Sequence, residues 1–108
     1  MNVLLVEPGY KNKYPPMGLM KISTYHKNRG DNVVFFKGIM SKAEFEKHEF
    51  QRVYITTLFT FYYDLTVKTI KAYQLLIAPD RIYVGGIMAS LMKDKLQKDI
   101  GNKSVILT

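Results

Sequence analysis

Apolar and mixed stretches alternate along the chain. Val3-Leu4-Leu5-Val6, Val33-Val34-Phe35-Phe36, Val53-Tyr54-Ile55, Ile82-Tyr83-Val84 and Val105-Ile106-Leu107 are short apolar runs, each separated from the next by a helical or turn-rich segment. Val, Ile, Leu, Tyr and Phe follow one another in these runs with little polar alternation, as in strands buried on both faces. Strands are therefore predicted at residues 2–7, 32–37, 52–57, 81–85 and 104–107. The second and third runs leave neither face obviously open to water. That pattern predicts a parallel sheet covered by helices on both sides.

The intervening segments carry helical spacing. A first helix is predicted over residues 16–28. Pro16 suits its first turn, because the missing N–H would have no partner there. Leu19, Ile22, Ser23 and His26 follow i, i+3, i+4, i+7 and form its buried stripe, and Gly30 closes it as a left-handed C-cap. A short helix is predicted over residues 41–49, where Ser41 and Glu44 have capping-box spacing. A longer one is predicted over residues 62–77, with Tyr63, Val67, Ile70 and Ile77 on one face and Asp64 in the first turn. The last is predicted over residues 89–99, anchored by Leu96 and Ile100.

Parallel strands joined by right-handed crossovers then give an α/β domain with strand order 2-1-3-4-5. The ends of strands one and three, residues 7–18 and 56–62, flank the point where the order reverses. Gly85-Gly86 lies next along the same edge. A doubly wound domain usually carries one more helix after its fifth strand, so the chain reads as a fragment of a longer protein.

Composition narrows the function. The 108 residues suit a single domain spanning 1–108, and 47% hydrophobic content suits a packed core. No apolar run approaches the roughly 18 residues of a membrane span. The first residues lack the features of a signal peptide. With no cysteine, the chain forms no disulfide, thiolate zinc site or thiolate-held iron–sulfur cluster, and a cytoplasmic location is expected. Two histidines, His26 and His48, are too few for a histidine-rich metal site. The net charge of +7 allows a stand-alone nucleic-acid-binding module as the alternative function, although no consecutive run of Lys or Arg sharpens it.

Several motifs are missing. G-x-G-x-x-G after strand one, the G-x-x-x-x-G-K-[ST] phosphate loop and the G-x-S-x-G nucleophile elbow are all absent. Strand three ends in Thr56-Thr57, where a phosphoryl-accepting receiver domain would need Asp. Glu7 is the one carboxylate at a strand's carboxyl end; such a residue pairs with a nearby lysine or caps a loop more often than it acts as a base. No catalytic or metal residue is assigned.

Two stretches remain. Tyr14-Pro15-Pro16-Met17-Gly18-Leu19 stiffens the approach to the first helix, where Gly18 permits close approach to free backbone N–H groups. Thr56-Thr57-Leu58-Phe59-Thr60-Phe61-Tyr62-Tyr63 places hydroxyls and aromatics past a buried strand. As a loop it would present Phe59, Phe61 and Tyr62 to a flat ligand or another domain.

The ordered set Val3-Leu4-Leu5-Val6-Glu7-Pro8, Tyr14-Pro15-Pro16-Met17-Gly18-Leu19, Asn28-Arg29-Gly30-Asp31-Asn32-Val33 and Val84-Gly85-Gly86-Ile87-Met88-Ala89-Ser90 resembles the N-terminal domain of cobalamin-binding-type radical SAM proteins. The resemblance runs from residue 2 to about 92. It implies a flavodoxin-like, Rossmann-like domain preceding a radical SAM barrel, with a cobalamin at the carboxyl edge of the sheet. Pro15, Pro16, Met17 and Gly18 would line the ligand, Thr56, Thr57 and Leu58 would lie beside the corrin, and Gly85 and Gly86 would leave space for its nucleotide tail. The D-x-H-x-x-G motif of base-off binders is absent. So is the C-x-x-x-C-x-x-C motif of the barrel, which implies that the [4Fe–4S] cluster and S-adenosylmethionine belong to the parent protein. The bulky run at Phe59, Phe61, Tyr62 and Tyr63 would favour docking of that barrel over cofactor binding.

Overall fold

The first apolar run becomes an interior strand. In the computed structural model, which describes residues 1–9, 17–57 and 62–107, with Met17, Ile87 and Met88 by backbone alone, β1 spans Asn2–Glu7. Val3, Leu4, Leu5 and Val6 are all buried, so both of its faces are covered. Around it stand α1 (Met17–Asn28), β2 (Asn32–Lys37), α2 (Lys42–His48), β3 (Arg52–Thr57), α3 (Tyr63–Gln74), β4 (Ile82–Gly86), α4 (Ile87–Leu91), α5 (Lys93–Ile100) and β5 (Val105–Ile106). The five strands form one sheet in the order β2-β1-β3-β4-β5, and every pairing is parallel. This is the predicted α/β, flavodoxin-like arrangement.

The two faces are covered unequally. Leu4, Val6, Val53, Ile55, Ile82 and Val84 point to one side, where Phe45 of α2, Ile70 and Tyr73 of α3, Ala89 of α4 and Leu96 and Ile100 of α5 close over them. On the other side Val3, Leu5 and Tyr54 pack against Leu19 and Ile22 of α1. In register across this second face run Phe35, Leu5, Tyr54, Tyr83 and Val105. Leu5 beneath α1 is 1% exposed, whereas Phe35 and Val105 at the two edges are 51% and 37% exposed. The second strand is thus an edge strand that meets water, contrary to the double-sided burial its apolar run suggests.

Local chemistry sets the boundaries. Ser41 Oγ accepts the Glu44 N–H at 3.3 Å and starts α2. After α1 the Gly30 N–H bonds Lys27 O at 3.0 Å and the Asp31 N–H bonds His26 O at 2.9 Å, the paired bonds of a Schellman stop with Gly30 at φ +84°. The third helix ends at Gln74, before Ile77: the Leu75 and Leu76 N–H groups bond carbonyls three residues back, Ala72 O at 3.2 Å and Tyr73 O at 3.0 Å, and the last turn tightens. Arg81 belongs to a 3-10 turn over Pro79–Arg81, so β4 starts at Ile82. The predicted helix over 89–99 is two helices, broken at Met92. Ser104, which leads into β5, is buried and donates to Pro79 O at 2.8 Å, while Gln74 Nε2 reaches it at 3.1 Å.

One phenol ties α3 to the end of β2. Tyr73 is fully buried, its O–H donates to Gly38 O at 2.7 Å, and its oxygen accepts the Met40 N–H at 2.9 Å. Burial pushes its pKa up, so the phenol stays protonated and keeps both roles. Tyr73→Phe leaves both backbone groups without this partner, and a loss of about 1–3 kcal/mol is expected in urea unfolding. An unchanged midpoint would show that the two bonds contribute nothing.

Candidate functional site

A parallel sheet gathers all its strand ends on one edge, and ligands of such folds bind there. Here β1 ends at Glu7, β2 at Lys37, β3 at Thr57 and β4 at Gly86. Helices α1, α3 and α4 begin at this same edge, the last immediately after Gly86. The rim therefore unites Gly18, Thr56, Thr57, Gly85, Gly86 and the start of α1 at Met17. Pro15, Pro16, Leu58, Phe59 and Phe61 lie outside the described residues. Tyr62 is half-buried and Tyr63 is buried.

Thr57 holds the rim together. Its hydroxyl, buried in the edge, donates to Gly85 O at 2.8 Å and accepts the Ala89 N–H at 2.9 Å. One side chain thus ties β3 to β4 and satisfies a free N–H in the first turn of α4. Gly86 has φ +110°, and a Cβ there would lie 2.0 Å from Thr57 O. Only glycine fits. Gly85 is different: its missing Cβ would meet Leu107 Cβ at 3.5 Å, an ordinary contact. Around Gly18 a Cβ meets nothing within 4 Å. Ala89 is buried, and Ser90 Oγ donates to Gly86 O at 3.2 Å. The Gly-Gly-x-x-Ala-Ser run thereby has an internal packing role at Gly86, Ala89 and Ser90.

Glu7 is buried at the rim, and Lys37 Nζ lies 3.2 Å from its Oε1. A buried carboxylate needs such a partner. The pairing with a nearby lysine is the structural alternative that the sequence offered for Glu7.

Both histidines sit at the opposite, amino end. His26 is fully buried; its Nδ1 lies 2.7 Å from Asp31 Oδ2 and its Nε2 lies 3.0 Å from the Tyr54 hydroxyl. Arg52 Nη1 donates to that same hydroxyl at 3.0 Å. A carboxylate only accepts, so Nδ1 carries a proton. A neutral ring then accepts the Tyr54 O–H at Nε2, and every member of the Arg52–Tyr54–His26–Asp31 chain is satisfied. The Met1 ammonium is 3.2 Å from Asp31 Oδ1. The hydrogen bond from His26, followed by the ammonium, holds the Asp31 carboxyl below its usual pKa, against an opposing effect of burial. His48 stacks on Phe50 with ring centroids 5.1 Å apart, beside a cleft of about 230 Å³ that also involves Asn2, Asn32 and Val34.

Sequence reasoning singled out His26 but not Asp31, Tyr54 or Arg52. The signal was the i, i+2 spacing of Arg52 and Tyr54, which puts both on one sheet face. Among the described residues, no three His, Asp or Glu side chains converge as metal ligands would. No described helix is long and apolar enough to cross a membrane. The chain matches no protein-family model and no curated protein.

Gly86→Ala is expected to cost more than about 3 kcal/mol or to abolish folding, whereas Gly85→Ala shifts stability by under about 1 kcal/mol. Urea midpoints of the two variants check this, and equal effects would contradict the close approach to Thr57. For Asp31 the folded pKa lies below the ordinary 3.8. Its contribution is complete above 3.8 and disappears as pH falls through the lower folded value. Asp31→Asn is expected to lower stability near neutrality and to flatten the acid side of a plot of urea midpoint against pH. A variant plot parallel to that of the wild type would rule this out.

Proposed function

We propose that this chain is an accessory α/β domain of a radical SAM enzyme, cobalamin-binding-like in form, docking through its carboxyl rim on a [4Fe–4S]/S-adenosylmethionine barrel that it does not contain. The observation that supports docking is the set of apolar side chains exposed along the carboxyl edge, where such sheets meet their ligands and neighbours. Ile39, just past β2, Leu91, one turn beyond the end of β4, and Leu107, at the end of β5, are 43%, 73% and 40% exposed. A domain seated on this edge would cover them. The ordered motifs, which resemble those of radical SAM accessory domains, are the ground for taking that neighbour to be a radical SAM barrel.

Neither imidazole is at the rim, so no histidine is offered to the cobalt of a base-off cobalamin. The Thr57 hydroxyl already bonds Gly85 O and Ala89 N–H. The space beside the Gly86 Cα is filled by Thr57 O. In this reading the domain holds and orients the barrel, and the radical chemistry belongs to the barrel.

Titration with hydroxocobalamin to high micromolar concentration is expected to leave the visible spectrum of the cofactor unchanged. The coding sequence downstream of Thr108 is expected to contain C-x-x-x-C-x-x-C. A spectral shift with tryptic protection of the rim would replace docking by cofactor carriage. Oligonucleotide binding that weakens steeply with salt would replace it by the nucleic-acid reading.

A further inference from the structure

The sheet has one long free edge. At its far side β5 holds only Val105 and Ile106, whereas β2 runs from Asn32 to Lys37. Along its inner side β2 pairs with β1, from Asn32 opposite Asn2 to Lys37 opposite Glu7. The Asn32 N–H bonds Met1 O at 2.9 Å, and the Gly38 N–H bonds Glu7 O at 2.8 Å. Backbone groups alternate in direction along a strand, so Asn32, Val34, Phe36 and Gly38 face β1. The N–H and C=O groups of Val33, Phe35 and Lys37 therefore point outward, and no described residue bonds them. Phe35, in the middle of this row, is also half exposed.

An edge of this kind takes another strand. The register favours a second copy of the chain, because β2 is complementary to itself. Antiparallel strands bond through facing residues that exchange both N–H···O bonds. Only a two-fold axis at Phe35 lets Val33, Phe35 and Lys37 all pair within the strand. Phe35 then faces Phe35 of the second copy, and Val33 faces its Lys37. An axis at Val34 would set Lys37 against Asp31, and one at Phe36 would set Val33 against Ile39, both outside β2. The axis at Phe35 stands perpendicular to the sheet, so each face continues into the same face of the other copy. Charge permits this register. The two Lys37 residues stand at opposite ends, roughly 14 Å apart along the strands, beyond the screening distance of about 10 Å at about 0.1 M salt. Each ammonium also lies 3.2 Å from Glu7 Oε1 in its own chain.

We propose that β2 pairs antiparallel with β2 of a second copy about Phe35, giving a two-fold dimer with one continuous sheet. The two Phe35 rings meet on the side of α1, and Val34 lies opposite Phe36 of the second copy on the side of α2 and α3. The contact is small and joins molecules that each carry +7, so the association is weak and strengthens with salt. It runs along the side of the sheet and leaves the carboxyl rim free. The inference is therefore independent of what the rim contacts.

Sedimentation velocity of the full 108-residue chain, from micromolar to millimolar concentration, is expected to show a monomer–dimer equilibrium that tightens as salt is raised. Amide hydrogen exchange reads which edge is used. The Val33 and Phe35 amides are expected to slow several-fold as dimer forms, whereas those of Val34 and Phe36, already facing β1, change much less. F35P removes the central outward N–H and no bond to β1, a placement in which an edge strand tolerates proline. It is expected to keep the circular dichroism of the wild type and to abolish the dimer. F35T keeps the N–H and loses the ring, and is expected to weaken the dimer about fivefold. A chain that stays monomeric in high salt, a dimer whose Val33 and Phe35 amides exchange at the monomer rate, or a dimer that survives both substitutions would overturn the proposal. So would protection of these amides by an added Val-Thr repeat peptide while the chain itself stays monomeric, which assigns the edge to a foreign strand.

Discussion

A parallel sheet must be covered on both faces, and this domain meets that requirement unevenly. Its strands are apolar on both sides, so water against either face is costly. Helices α2 to α5 close one face almost completely, while α1 stands over the other. The tight core on one side and the polar network on the other both go with this asymmetry. The network of Arg52, Tyr54, His26 and Asp31 lies on the less covered side, where a buried imidazole and a half-buried guanidinium share one phenol. Its polar atoms are tolerated there because they satisfy one another.

At the opposite edge a single hydroxyl organises the rim. Thr57 joins two strands and the helix that follows them, and its carbonyl excludes any side chain at position 86. The glycine that looks most like a ligand cradle is thus needed by the fold itself. The apolar side chains left exposed around the rim are what a neighbouring domain would cover.

Much of the architecture was legible in the chain. β1, β2 and β3 begin and end where their apolar runs predict, because each run is bounded by polar or turn residues. The stripe of α1 holds from Leu19 to His26, and Ser41 caps α2 as its spacing indicates. Leu75-Leu76-Ile77 continues the apolar pattern of α3, but bonds from the Leu75 and Leu76 N–H groups to carbonyls three residues back tighten and end the helix there. The start of α4 at Ile87 is fastened by Thr57, a residue remote from it in sequence, which bonds the Ala89 N–H. Edge position is likewise a property of the whole sheet, so the exposure of β2 is invisible in its own residues. In the candidate site the rim and the lysine partner of Glu7 were foreseeable. The Asp31–His26–Tyr54 chain requires a helix, a loop and a strand to meet, and local patterns do not encode such meetings.

The exposed outer edge of β2 carries a further consequence. Val33-Val34-Phe35-Phe36 is a run of high β-propensity whose unpaired backbone can recruit a like strand from another molecule. The +7 charge of the whole molecule opposes such pairing by mutual repulsion. That repulsion is screened by salt, with a range near 10 Å at about 0.1 M. Solubility of the isolated domain is therefore governed by ionic strength as much as by folding stability: dilute buffer keeps molecules apart, and concentrated salt removes the barrier to aggregation.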